Sequence, residues 1–434
     1  MIDLALVRKD PALYQKVCGQ KNIKLDVKKF LKLDEERREL LTQTQALQAQ
    51  RNAVSKKVPT LKGAEKEKVI KEMKVVNDTL KANETKLVEI EKQWNTQQLQ
   101  LPSIPLSSVP VGKDDKDNKE KRRVGKMPTF AFTPKDHVTL GTTLGLLDIE
   151  RGVKVAGARS YFLIGDGARL HQAILRYTTD SLIAKGWTLF SPPLMAAARN
   201  FMGTGFFPGA EEQIYAVGVK KENETMLESD ELSLIGTSEV SVMGYHADEV
   251  LPLLQLPTKY CGSSSCFRRE AGTYGKDTHG LYRIHQFEKV EQVVLCEADQ
   301  TKALALFEEI RQNAEEVLQA LELPYRIVDV CTGDMGRGKV FMQDIETWMP
   351  SRDSYGETHS CSYLGDFQTR RLNIKYIDAA GEKKFCHSLN NTAVASPRIL
   401  IPILEIYQNK DGSVTVPEVL RPYMGGKDRI TSKQ

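Results

Sequence analysis

The sequence predicts an α+β protein, with an N-terminal antiparallel helical coiled-coil arm ahead of a domain built on an antiparallel β-sheet with flanking helices. Three observations carry this. Residues 1–100 are poor in Gly and Pro, and from Val69 to Trp94 apolar side chains recur at alternating steps of four and three, the seam of a coiled coil. Residues 101–135 bring prolines and mixed charge, the composition of a surface linker. From residue 136 to 434, helical patterns and short β-branched runs follow one another without the regular alternation of a parallel sheet.

Taken in order, the first arm helix carries Leu33, Leu40, Leu47 and Val54 at steps of seven, with Arg37, Thr44 and Arg51 at the other seam positions. Pro59 to Gly63 (PTLKG) breaks the pattern as a tight turn. The second helix repeats Val69, Met73, Val76, Leu80, Asn83, Leu87, Ile90 and Trp94. Two helices joined by so short a turn run antiparallel, and about 30 residues each give an arm of roughly 45 Å. Residues 167–186 and 299–320 read as long helices. Trp187 to Pro193, YRIVDVC (325–331) and RLNIKYID (371–378) read as strands.

The chain of 434 residues has a formal charge of +4, too mild to demand a nucleic-acid partner by itself. The charge is unevenly placed, however. Between Arg51 and Lys74, at the arm's tip, eight Lys/Arg (Arg51, Lys56, Lys57, Lys62, Lys66, Lys68, Lys71 and Lys74) face three Glu, a local +5. A basic rod without aromatics suits phosphate backbones and shape rather than base reading. It equally suits a solvated helix pair kept soluble by its lysines. Seven scattered cysteines (Cys18, Cys261, Cys266, Cys296, Cys331, Cys361, Cys386), with no CxxC pair, argue for reduced thiols in a cytoplasmic protein. The N-terminus lacks the pattern of a secretory signal, and no apolar run approaches a membrane span.

The stretch richest in chemistry is CFRREAGTYGKDTHGLYRIHQFEKVE, Cys266 to Glu291. It reads as strand, loop, strand. Arg268 and Glu270 would share one face of the first strand, and Arg283, Phe287 and Glu291 one face of the second. Gly272, Gly275 and Gly280 would make the loop Ala271–Gly280 mobile. Two guanidiniums for phosphate oxygens, an aromatic plane for a base and a carboxylate for an amine suit a nucleoside triphosphate. A charged surface hairpin is the alternative. There is no P-loop GxxxxGK[ST] and no GxGxxG.

These residues, together with LPSIPLSSVPVG, GTGFFP (203–208), GTSE (236–239), CTGDMG (331–336), SCSYLGDFQTRR (360–371) and HSLNNTAVASPR (387–398) in this order, resemble the seryl-tRNA synthetases, a family of class II aminoacyl-tRNA synthetases. The resemblance spans nearly the whole chain. It implies a class II catalytic domain over 136–434 behind a tRNA-gripping arm over 1–100. It implies a cytoplasmic homodimer, with the segment around Pro192 and Pro193 at the subunit interface and one subunit's arm serving tRNA charged on the other. The implied reaction makes seryl-adenylate from L-serine and ATP with Mg²⁺, then seryl-tRNA(Ser), with tRNA(Sec) a second candidate. Neither a membrane nor DNA is an expected partner.

By the same resemblance, Arg268, Glu357 and Arg398 carry the catalysis. Arg268 holds the α-phosphate, Glu270 approaches the adenine amine, Phe287 stacks on adenine, Arg283 binds the γ-phosphate, and Arg398 covers the adenine or its phosphates. Arg269, Ile284, Thr358 and His359 complete the expected ATP contacts. Glu357 and Ser360 match the Mg²⁺ ligands. Thr237, Ser238, Glu239, Glu291, Asn390 and Thr392, with Arg268, match the serine contacts. Arg51, Lys56, Lys57, Lys62 and Lys66 match the tRNA-binding tip.

Some residues depart from the common bacterial pattern. Glu357-Thr358-His359-Ser360 replaces Glu-Ile-Ser-Ser, so His359 is read as a packing or phosphate neighbour rather than a zinc ligand. NNTAVASPR replaces a glycine-rich motif, with Pro397 stiffening the turn before Arg398. Arg269, next to Arg268, is expected to face away from the site. Two rival readings remain: a catalytically silent relative that binds through its arm, and a ligase serving a carrier protein. Serine-dependent ATP–pyrophosphate exchange separates the first, and the preserved arm weighs against the second.

Overall fold

The computed structural model describes residues 1–220, 227–272 and 280–432. The chain divides into two units, Met1–Pro102 and Ser103–Gln434.

In the first unit, two short helices, α1 (Leu4–Lys9) and α2 (Pro11–Gln20), precede the long α3 (Val27–Lys57) and α4 (Gly63–Gln98). Asp26 starts α3 by accepting from the Lys29 amide at 3.0 Å. The break lies where PTLKG predicts it: Val58–Thr60 is a single 3₁₀ turn, and Gly63 begins α4 with φ +59°. In α4 the residues turned from solvent include Val69, Met73, Val76, Leu80, Asn83, Leu87, Ile90 and Trp94. In α3 they include Leu33, Arg37, Leu40, Thr44, Leu47, Arg51 and Val54. Arg37 pairs with Glu91 at 3.0 Å, Lys86 with Glu36 at 2.7 Å, and Gln48 bonds Glu84 at 3.2 Å. From Arg37–Glu91 to Gln48–Glu84 the numbering rises along α3 and falls along α4, so the helices are antiparallel. At the base, the buried Asp34 carboxylate (1% exposed) meets Arg8 at 2.8 Å, Arg38 at 3.2 Å and the Trp94 indole N–H at 3.1 Å.

The second unit is organised by an eight-stranded sheet. Its strands are β1 (Lys119–Val124), β2 (Thr188–Phe190), β3 (Thr258–Phe267), β4 (Gln286–Cys296), β5 (Tyr325–Asp329), β6 (Phe341–Met349), β7 (Ser354–Gly365) and β8 (His387–Ser396). They lie in the order β1-β5-β6-β7-β8-β4-β3-β2. All neighbours are antiparallel except the β2–β3 edge pair. The helices Asp166–Ala184 and Gln300–Ala320 bury Leu170, Ile174, Phe307, Ile310 and Leu318 in one core with Val290, Val294, Ile345, Cys361 and Val394 of the sheet. Side chains alternate along a strand, so Phe287, Lys289 and Glu291 of β4 point away from that core.

Two stretches differ from expectation. Residues 101–135 are not all linker, because Lys119–Val124 joins the sheet as its edge beside β5. This strand (KEKRRV) carries exposed charges, which protect an edge from further pairing. RLNIKYID is not one strand. Arg371 and Leu372 end the helix Phe367–Leu372, Asn373 turns the chain at φ +56°, and only Lys375–Ile377 is extended.

Candidate active site

The polar face of the sheet carries a cavity of about 370 Å³. Its walls come from Thr204–Phe206, the GTSE turn, β4, the 336–339 loop, β7 and β8. Four glutamates (Glu239, Glu270, Glu291, Glu357) and five cations (Arg268, Lys289, Arg337, Lys339, Arg398) face it.

The expected hairpin exists, but its geometry differs from two facing strands. β3 ends at Phe267. Arg268 is held one step further by its amide, which donates to His285 O at 2.9 Å. Its guanidinium lies 5.3 Å from the Phe287 ring and bonds Gly236 O at 3.4 Å. Glu270 sits off the strand at φ +51° and still lines the cavity. Arg283 precedes β4 and is not among the lining residues; it pairs with Glu270 at 3.4 Å. Most of the expected mobile loop, including Gly275, lies outside the described residues.

Two β-bulges explain why lining residues are three apart. The β6–β7 register passes from Ile345↔His359 to Glu346↔Glu357, so Thr358 is the extra residue. The inserted residue brings Glu357 and Ser360 to the same face; on a regular strand they would point oppositely. His359 is thereby turned inward, 1% exposed, with Nδ1 2.8 Å from Thr358 Oγ1. Burial pushes its pKa down to about 4. In β8, Ala393 is extra between the Glu291↔Thr392 and Val290↔Val394 pairs, and Thr392 and Ala395 both reach the cavity.

Thr237, Glu239, Glu291, Asn390 and Thr392 all line the cavity. Glu291 accepts from Thr392 Oγ1 at 3.3 Å and pairs with Lys289 at 2.5 Å. Glu239 accepts from Asn390 and Gln368, each at 2.6 Å. Burial raises the Glu239 pKa above the ordinary range, and Lys339 opposes that shift. Arg398 lies over the Tyr282 ring at 4.4 Å and donates to Tyr282 O at 3.1 Å and Glu357 O at 3.0 Å.

The cavity therefore gathers Arg268, Glu270, Ile284, Phe287, Glu357, Thr358, Ser360 and Arg398 with the five residues just named. It leaves out four expected residues. Ser238 is fully buried and donates to Gly262 O at 3.1 Å. Arg269 is exposed, with its amide on Gln213 O. Arg283 and His359 complete the four. Sequence reasoning missed Lys289, Tyr282, Arg337 and Lys339. For Lys289 a signal exists, since it lies midway between Phe287 and Glu291 at period two. Arg337 and Lys339 come from a loop without periodicity. The arm-tip residues Arg51, Lys56, Lys57, Lys62 and Lys66 belong to the other unit, where the four lysines are exposed.

Glu357 and Ser360 face the cavity beside Asp344, paired across the strands with Ser360. Ser360 bonds Asp344, whose Oδ1 is buried with no hydrogen-bond partner. Burial first, then the Glu357 charge, raise the Asp344 pKa well above the usual range. This oxygen-only set fits a hard divalent cation that keeps waters and phosphate oxygens as further ligands. Among the described residues, no group of three His, Cys, Asp or Glu is arranged to hold a metal alone.

Residues 220–407 match the model of the tRNA synthetase class II core domain (G, H, P, S and T), so this sheet and its arginine-lined cavity are those of a class II aminoacyl-tRNA synthetase. Residues 1–105 match the seryl-tRNA synthetase N-terminal domain. A serine–tRNA ligase of Deinococcus radiodurans is 46% identical over 99% of this chain and 98% of its own length. One from Dictyoglomus thermophilum is 42% identical over 98% of each. The seryl-tRNA synthetase of Pyrococcus horikoshii, solved in complex with ATP, superposes with a TM-score of 0.87 at 36% identity over the whole of both chains. The chain belongs to the seryl-tRNA synthetase family.

Proposed function

We propose that the sheet cavity holds ATP and L-serine side by side and joins them, as a serine–tRNA ligase does, before the seryl group passes to tRNA(Ser). The observation that carries this is the meeting of Arg268, Phe287, Glu357 and Arg398, distant in sequence, around one cavity. A serine carboxylate oxygen attacks the α-phosphorus; the bond to the β-phosphate bridging oxygen breaks, and pyrophosphate leaves with the electron pair. The terminal ribose hydroxyl of tRNA then attacks the seryl carbonyl carbon; the acyl–phosphate bond breaks, and AMP leaves with the electron pair, its phosphate taking up the hydroxyl proton. Neither step needs a protein nucleophile; positioning and charge stabilisation supply the catalysis.

Arg268 neutralises the α-phosphate, where charge builds. Phe287 and Arg398 sandwich the adenine, Glu270 accepts from its amine, and Arg283, beside Glu270, reaches the γ-phosphate. Arg269 and His359 have only backing roles. Glu357 and Ser360, with Asp344 behind Ser360, would hold Mg²⁺. Bound there, it would supply positive charge to the phosphate oxygens. Glu291, Thr392, Asn390, Thr237 and Glu239 receive the serine ammonium and hydroxyl, with Ser238 bracing the turn. Alanine would leave these buried polar groups unpaired, which gives strong discrimination. The basic arm tip binds the backbone of tRNA(Ser), with tRNA(Sec) a second candidate. The chain acts as a homodimer in the cytoplasm, where its seven unpaired, buried thiols remain reduced. Among the described residues no helix is long and apolar enough to cross a membrane.

The test is ATP–pyrophosphate exchange with each of the twenty amino acids. Serine alone is expected to support exchange; a folded protein that exchanges with none, or with another amino acid in preference, would overturn the reading.

A further inference from the structure

We propose that His137 and Glu405, which stand outside the cavity, are positioning residues that hold its Tyr282–Arg398 wall and so set the affinity for ATP. Glu405 lies in the helix Leu400–Ile406 and is fully buried. Its carboxylate accepts from the His137 amide at 3.0 Å, the Ser351 amide at 2.9 Å and the Ser351 hydroxyl at 2.7 Å, and lies 2.7 Å from His137 Nδ1. The other ring nitrogen, Nε2, lies 3.2 Å from the Leu281 amide. An amide can only donate, so Nε2 is the acceptor and the ring proton sits on Nδ1, directed at Glu405.

The ring abuts bare backbone. Gly280 has φ +73°, and a Cβ there would come 2.0 Å from His137 Nε2. The next two residues, Leu281 and Tyr282, line the cavity, whereas His137 and Glu405 do not. The Tyr282 ring carries Arg398 at 4.4 Å and Arg352 at 4.2 Å. Arg352 belongs to the turn Pro350–Arg352, whose Ser351 is also held by Glu405. One buried carboxylate thus ties residue 137, residue 281 and the 350–352 turn, the segments that meet around Tyr282. Arg398 rests on that ring and bonds the carbonyl of Glu357, so a shift of Tyr282 moves the nucleotide side of the cavity. The candidate serine residues Thr237, Glu239 and Asn390 stand on other segments.

This inference rests on reading the cavity as an ATP site. Its test compares two substitutions in the full chain. His137→Asn keeps a donor for Glu405 but is too short for Leu281. His137→Gln restores an acceptor near the Nε2 position. The measurements are the KM for ATP and for serine in exchange, Mg·ATP affinity by calorimetry, and Tm. His137→Asn is expected to raise the ATP KM and Kd about tenfold, the loss of one hydrogen bond, with the serine KM within about twofold. His137→Gln should recover part of that loss. Unchanged ATP constants in a folded variant, or ATP and serine constants rising together, would overturn it. Should His137→Asn not fold, His137→Gln and Glu405→Gln are judged by the same split. A wild-type chain without serine-dependent exchange sinks the functional reading instead, and ATP calorimetry still decides the positioning.

Discussion

The arm aligns two helices through seam positions that repeat every seven residues, most of them apolar, with one distinct rung at Asp34 and Trp94. The cavity draws its walls from strands, turns and loops between Thr204 and Arg398, distant in sequence and each supplying different side chains. The arm can therefore lose a seam residue and remain an arm, whereas the cavity has no spare arginine for the place Arg268 occupies. Redundant geometry tolerates change; convergent geometry does not. Substitutions in the two units should differ in kind as well as in size.

The largest effect is expected at Arg268. Arg268→Ala should lower serine-dependent exchange by about a thousandfold or more, in the range of losing a main transition-state charge partner, with Tm and subunit association unchanged. Near-normal exchange would mean that the cavity is as forgiving as the arm. Next, replacing Lys56, Lys57, Lys62 and Lys66 together by Ala should leave exchange untouched and weaken tRNA binding by roughly tenfold or more at low salt. It should also flatten the salt dependence, because each lost phosphate contact removes about 0.7–0.9 from the slope. Filter binding across salt concentrations reads both, and a fall in exchange would show that the two units are not separable. Asp34→Ala should destabilise the arm by about 1–3 kcal/mol, since the Trp94 N–H loses its acceptor, again with exchange intact; differential thermal melts measure it. The smallest effect is expected at Arg269→Ala, within about twofold in exchange, because that side chain is exposed and outside the cavity.

The same contrast governs how much of each unit is legible in the sequence. The α4 seam can be read residue by residue, because its signal is local and periodic. The helices at 167–186 and 299–320 are legible for the same reason. Period two places Phe287 and Glu291 on one face, but the extension to Arg283 fails because β4 begins only at Gln286. His359 and Ser360 cannot be sorted from spacing, since the Thr358 bulge shifts the alternation and nothing in Glu-Thr-His-Ser announces a bulge. The strand in 119–124 is hidden by its charges. An edge strand needs no apolar side chains when its backbone pairs on one side only. Arg337, Lys339, Tyr282 and Asp344 escape a reading of the sequence because each acts through neighbours that only the folded sheet supplies.

Asp34 bears on how the arm's length could change. A helical hairpin with a repeating seam can slide by seven residues and still match its apolar positions, unless one rung differs from the rest. Sliding α4 by one repeat would set Leu87, not Trp94, against the Asp34 carboxylate, which would keep Arg8 and Arg38 but lose its indole N–H donor in an apolar joint. The alignment is thus keyed at the root of the hairpin and not at its turn. Matched insertions or deletions of seven residues in both helices could lengthen or shorten the rod while the teeth of the zipper stay in step.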